Sequence, residues 1–146
     1  MDHQISEEFR EYCFLHCEIP ELYHEAAMRA GLSDSVMNIL YTISVFGDDC
    51  TQSSISRLTG IPRQTINSAI RKLEREGILY LEEITRKTKI IRLTAQGQAL
   101  TDEKVLPIIR AEQAVFEAWT PEERRTLLSL TRKYFHDFQR NLCPEE

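Results

Sequence analysis

The chain has 146 residues, of which 42% are hydrophobic and 28% charged, and its formal net charge is −5. This size and balance suit one compact globular domain with a sizeable core. No apolar run approaches the ~20 residues needed to cross a bilayer. The acidic start, MDHQISEEFREY, also lacks the basic-then-apolar pattern of a secretion signal. A cytoplasmic protein without a membrane partner is therefore expected. Cys13, Cys17, Cys50 and Cys143 form no pair of CxxC motifs, so neither a structural zinc site nor a metal or cofactor is expected.

Helices dominate the chain-order reading. Ser6 before two glutamates is a helix start, with Phe9, Cys13, Phe14 and Cys17 on one side. Pro20 should interrupt or kink this segment, which then continues over Glu21–Ala30 until Gly31 stops it. Ser33 or Asp34 caps the next helix, and Val36, Ile39, Leu40 and Ile43 form its buried stripe; Gly47 ends it.

Thr51–Ile70 (TQSSISRLTGIPRQTINSAI) reads as two short helices joined by a tight turn at Gly60. Ile55 and Leu58 give the first an apolar face. Pro62 lies at or next to the start of the second, where a missing N–H costs nothing. Ile66, Ile70 and Leu73 recur at i, i+4, i+7 and should be buried. The opposite side presents Gln64, Asn67, Ser68, Arg71 and Arg75, groups suited to reading base edges and phosphates in the major groove.

After Gly77 the period changes from that of a helix to that of a strand. Ile78–Ile84 and Lys89–Leu93, with Thr85-Arg86-Lys87-Thr88 between them, read as a β-hairpin with a basic tip. Thr94 caps a long helix from about Ala95 to Ala118, bent or broken near Pro107. Thr120-Pro121-Glu122-Glu123 is a capping box that opens a last helix. That helix carries Leu127, Leu128, Leu130, Tyr134, Phe135, Phe138 and Leu142.

The pI near 5.5 is at first sight wrong for a nucleic-acid binder. Charge distribution answers this. Between Thr51 and Arg92 nine basic residues face four acidic ones, a local +5 that leaves −10 for the remainder. A positive face on a negative body directs DNA to one surface.

A helix–turn–helix followed by a two-stranded hairpin is a winged helix–turn–helix. Its order and spacing resemble the MarR family of bacterial transcriptional regulators over essentially the whole chain. The residues that carry the resemblance are LEREGIL (Leu73–Leu79), the hairpin, and IIRLTAQG (Ile90–Gly97). The expected fold is mainly α (α+β): a winged lobe over 33–94, and amino- and carboxy-terminal dimerisation helices in 1–32 and 95–146. The wing departs from the family in lacking an Asp before the tip arginine, where Thr85 stands before Arg86.

The resemblance implies a homodimer that places two recognition helices on a pseudo-palindromic operator in double-stranded DNA, with half-site centres roughly 34–36 Å apart. Gln64, Thr65, Asn67 and Ser68 are the expected base readers, and Arg63 contacts a base or a phosphate. Arg71, Lys72, Arg86, Lys87 and Lys89 are expected on phosphates or in the minor groove. Gln52 and Ser53 offer backbone N–H groups to phosphate. A repressor controlled by a small aromatic effector is the leading expectation, with Phe14, Tyr23, Met37, Tyr41 and Phe116 as cavity candidates.

Two alternatives stand beside it. Cys13-Phe14 resembles the Cys-Phe of the family's organic-peroxide-sensing branch, which makes Cys13 and Cys17 redox candidates. The same i, i+4 pair also suits small core residues on one helical face. A winged helix that binds protein instead of DNA is the second alternative. No phosphate loop, nucleophile motif or metal-ligand spacing points to an enzyme.

Overall fold

The computed structural model describes residues 5–47 and 49–143. The element order is α1 (Glu7–Ala30), α2 (Asp34–Phe46), α3 (Gln52–Thr59), α4 (Arg63–Arg75), β1 (Leu79–Thr85), β2 (Thr88–Leu93), α5 (Ala95–Lys104), α6 (Leu106–Ala118) and α7 (Pro121–Leu142). The chain divides into two compact units, Met1–Ile109 and Arg110–Glu146.

In the first unit, Ser6 caps α1 by accepting from the Phe9 N–H at 3.2 Å, with Glu7 and Glu8 in the positive first turn. The helix does not stop at Pro20, contrary to the sequence expectation. Proline removes one backbone hydrogen bond, but residues 16–20 are exposed, where water can take its place. Gly31, at φ 70°, ends the helix in the left-handed conformation, and the Leu32 N–H closes back on the Ala27 carbonyl at 3.0 Å.

Ser33 caps α2, the centre of the core, where Val36, Met37, Ile39, Leu40, Thr42 and Ile43 are all buried. Around it Ile55, Ile66, Ile70, Leu73, Leu79, Ile91 and Val105 are essentially sealed from solvent. Each such side chain contributes roughly 1.5–3 kcal/mol of burial. Ile55 alone anchors α3, since Leu58 is 45% exposed where the sequence pattern placed it inward. An eight-residue helix presents too narrow a stripe to bury both.

The hairpin pairs Leu79 with Leu93, Leu81 with Ile91 and Glu83 with Lys89, and its register shifts between Glu83 and Thr85. Its base is fixed to the body by the Ile91 N–H, which donates to the Cys50 carbonyl at 2.9 Å. The helix after the hairpin breaks at Val105, two residues before Pro107, because Pro107 has no N–H for the preceding turn.

In the second unit, Thr120 and Glu123 form the expected capping box at the start of α7. No residue of α7 is buried. No helix among the described residues is long and apolar enough to cross a membrane.

Candidate nucleic-acid interface

Burying Ile66, Ile70 and Leu73 forces the other side of α4 outward. Arg63, Gln64, Thr65, Ser68, Arg71 and Lys72 are exposed and Asn67 is half-buried. Ser68 donates its hydroxyl proton to the Gln64 carbonyl at 2.9 Å, so toward an outside partner it can only accept. Lys72 lies 3.9 Å from Glu76, an exposed pair that leaves its charge largely available.

Beside α4, the start of α3 and the hairpin tip enclose a cleft of about 380 Å³ lined by Thr51, Gln52, Ser53, Arg63, Arg86, Lys87, Thr88 and Lys89. Four of these are cations and none is an acid. Thr51 caps α3 and its box with Ser54 uses the Ser54 N–H, while the Ile55 N–H bonds the Thr51 carbonyl. The N–H groups of Gln52 and Ser53 are thus left for an acceptor from outside, at the positive end of the helix. Arg63 donates to the Ser53 hydroxyl and joins α4 to this end of α3. At the tip Thr85 takes over the ordering role of the missing Asp: its hydroxyl accepts from the N–H groups of Lys87 at 3.3 Å and Thr88 at 3.1 Å. The cleft gathers Gln52, Ser53, Arg63, Arg86, Lys87 and Lys89 from the sequence-derived set, while Gln64, Thr65, Asn67, Ser68, Arg71 and Lys72 stand on α4.

Sequence reasoning passed over Arg92. Its guanidinium holds Glu82 across the hairpin at 2.6 Å and lies 3.9 Å from Asp49 in the loop before α3. The available signal was its place among the strand's apolar residues, where a long cation needs a partner.

A second cavity of about 390 Å³ lies in the same unit, lined by residues of α1, α2 and the α3–α4 turn, Tyr23, Met37 and Tyr41 among them. Tyr23 and Tyr41 meet edge to face at 5.9 Å. At its rim the His24 Nδ1 lies 2.9 Å from both carboxylate oxygens of Asp34. That hydrogen bond, then the Asp34 charge, raises the His24 pKa above its ordinary 6.5. Burial raises that of Tyr41. Phe14 is 62% exposed and outside the lining, and Phe116 belongs to the second unit, where it stacks on Trp119.

Cys13 and Cys17 are exposed, so they are not core residues of this chain; Cys50 is the buried thiol, donating to the Gly47 carbonyl at 3.2 Å. Tyr23 is ten residues beyond Cys13 on one helix, about 15 Å along its axis, too far to stabilise its thiolate.

Residues 30–86, which run from the end of α1 through the helix–turn–helix to the hairpin tip, match the model of the MarR family. The winged helix belongs to the MarR family. No curated protein matches the chain in sequence. Among solved structures, a MarR family regulator from Neisseria meningitidis superposes with a TM-score of 0.79 at 16% identity, covering 94% of this chain and 97% of that one. MepR of Staphylococcus aureus, solved in complex with DNA, gives 0.69 at 20% identity, covering 91% and 99%. A Staphylococcus aureus MarR in complex with salicylate and kanamycin gives 0.66 at 16% identity, covering 92% and 91%. At these identities the likeness is one of fold. It extends the MarR architecture, seven helices and a two-stranded wing, over nearly the whole chain.

Proposed function

We propose that this protein is a cytoplasmic transcriptional repressor, not an enzyme, that binds a pseudo-palindromic operator as a homodimer and releases it when a small aromatic effector binds. The observation that carries the reading is the acid-free cationic cleft beside the outward polar face of α4. Phosphates fit the cleft, where Arg63, Arg86, Lys87, Lys89 and the free N–H groups at the start of α3 converge. Bases fit the face, through Gln64, Thr65, Asn67 and Ser68, while Arg71 and Lys72 meet the flanking phosphates. The DNA complex of the MepR relative supports this use of the fold.

Dimerisation is favoured by apolar surface that one chain leaves uncovered. On α1 this is Ile5 just before it, then Phe9, Leu15 and Ile19; on α7 it is Leu128, Leu130, Phe135 and Leu142. In this reading the segments 1–32 and 95–146 make the dimer and 33–94 reads the DNA. The effector site is the cavity at Tyr23, Met37 and Tyr41, and the salicylate complex of the MarR relative supports a small ligand.

The decisive experiment selects bound sequences from a random duplex pool and then titrates salt. Affinity for the selected site should fall steeply with salt, and R71A combined with R86A should abolish binding. Affinity that survives both substitutions would leave a protein-binding adaptor as the better reading. The exposure of Cys13 and Cys17 favours retaining a thiol-based sensor as the second reading. Unchanged DNA affinity after peroxide treatment removes it.

A further inference from the structure

The cavity lined by Ile19, Pro20, Tyr23, His24, Asp34, Met37, Asn38, Tyr41, Thr59 and Ile61 has a charge inventory that selects among ligands. No Lys or Arg lines it. Its ionisable lining groups at neutral pH are His24 and Asp34, which pair with each other. Around His24, α1 contributes Glu21 and Glu25, both acting to keep it protonated, and Glu25 is itself held by Arg29 at 3.1 Å. From α2 comes Asp34, and the α3–α4 turn supplies only the uncharged Thr59 and Ile61. An anion entering here would face Asp34 and Glu21 with one shared imidazolium to offset them. A cation would find a carboxylate at the rim and two tyrosine rings, whose π-faces also attract positive charge.

We propose that this cavity binds a small planar aromatic cation, with Asp34 as its counter-ion and His24 as the internal competitor that the ligand displaces. The proposal rests on the effector reading given above and fixes the charge of the ligand. Its link to DNA runs through the turn: Thr59 donates to the Ile55 carbonyl at 2.8 Å and accepts from the Ile61 N–H at 3.2 Å, while Ser56 donates to the Ile61 carbonyl at 2.7 Å. A ligand against Thr59 and Ile61 therefore touches the joint that aims α4.

Because His24 must give up Asp34, cation binding competes with His24 protonation. The hydrogen bond to Asp34 holds the imidazolium above its ordinary 6.5, so the competitor is in place at neutral pH and leaves as pH rises further.

The test uses three isosteres of different charge, benzamidine, benzamide and benzoate, titrated calorimetrically into the full chain, with affinity for the selected operator measured on the same samples. Benzamidine should bind at least about tenfold more tightly than benzoate. D34N should reduce that ratio to within about threefold, and benzamidine affinity should rise from about pH 6 to about pH 8.5 in the wild type but stay flat in H24Q. Benzoate binding as tightly as benzamidine, or a preference unchanged in D34N, overturns the cation assignment and leaves the effector reading standing. Failure of all three to bind overturns both, while the operator measurement still judges DNA binding on its own.

Discussion

Gly97 in α5 packs so closely on the backbone of Ile78 that a Cβ at position 97 would lie 1.8 Å from the Ile78 carbonyl oxygen. Thr94 completes the joint. Its hydroxyl donates to the carbonyls of Gly77 at 2.6 Å and Ile78 at 3.1 Å, its N–H donates to the Ile78 carbonyl at 3.0 Å, and it caps α5 by accepting from the Gly97 N–H. The LEREGIL and RLTAQG steps are thus two halves of one clasp that closes the base of the wing. Gly97→Ala must push backbone against backbone and should cost about 3 kcal/mol or more. Gly77→Ala meets only the flexible Gln96 side chain, at 3.6 Å, and bears the left-handed φ of 70°, about 1–2 kcal/mol. Urea denaturation of both variants checks the order; equal losses would contradict the clasp.

This clasp also explains how much of the molecule was legible in the sequence. Caps and glycine stops act within a few residues, so the starts at Ser6, Ser33 and Thr120 and the ends at Gly31 and Gly47 could be read locally. The α4 stripe was equally plain. Pro20 was misread because its effect depends on whether the lost hydrogen bond faces water or core, which is tertiary information. Leu58 was misread because a short helix has few neighbours to bury it. The convergence of Ser53, Arg63 and Lys89 on one cleft depends on the fold of the hairpin against α3, and spacing along the chain carries no trace of it.

Arg92 braces the wing through Glu82 and Asp49. Pairs that are partly exposed are worth about 1 kcal/mol at most, so R92A should leave thermal stability within a few degrees of wild type. The wing it frees carries Arg86, Lys87 and Lys89, and losing their fixed position should weaken operator binding by roughly 5-fold. Hydrogen exchange of the β2 amides should rise in parallel. Operator affinity equal to wild type in R92A would show that the brace does not serve DNA contact.

Base and phosphate contacts should separate by their salt dependence. Asn67→Ala removes a two-ended hydrogen-bonding group, costing about 1–3 kcal/mol on the preferred sequence and relaxing selectivity at one position. Lys87→Ala should weaken all sequences alike and make the slope of log affinity against log salt shallower by about 0.9. A change of slope in the Asn67 variant, or of sequence preference in the Lys87 variant, would reassign those residues.

Glu123 accepts from the Thr120 N–H at 2.7 Å and from its hydroxyl at 2.9 Å, and these bonds hold its pKa below the ordinary 4.5. A carboxylate with a depressed folded-state pKa stabilises the fold above its unfolded value and loses that contribution as pH falls through the folded one. The melting temperature of wild type should therefore exceed that of E123Q above about pH 4.5, and the two should converge in stronger acid. A constant difference across that range would mean that the box acts by hydrogen bonding alone, without a role for the charge.

The last prediction concerns α7. Leu127, Leu128, Leu130, Tyr134, Phe135, Phe138 and Leu142 are between 37% and 63% exposed in the single chain and spread over nearly half the helix circumference. A contiguous apolar patch on this scale is uncommon on a monomeric protein and normally marks an interface. Phe135 and Leu130 are both 60% exposed, so replacing each by Asp removes nothing from the core. The L130D/F135D variant should keep its helical content and its winged unit but sediment as a monomer where wild type sediments as a dimer. Operator affinity should then fall by at least about 100-fold, because one recognition helix supplies half the base and phosphate contacts. Wild-type protein that sediments as a monomer at micromolar concentration would remove the dimer from the proposed mechanism, and full operator affinity in the monomeric variant would show that one winged helix suffices.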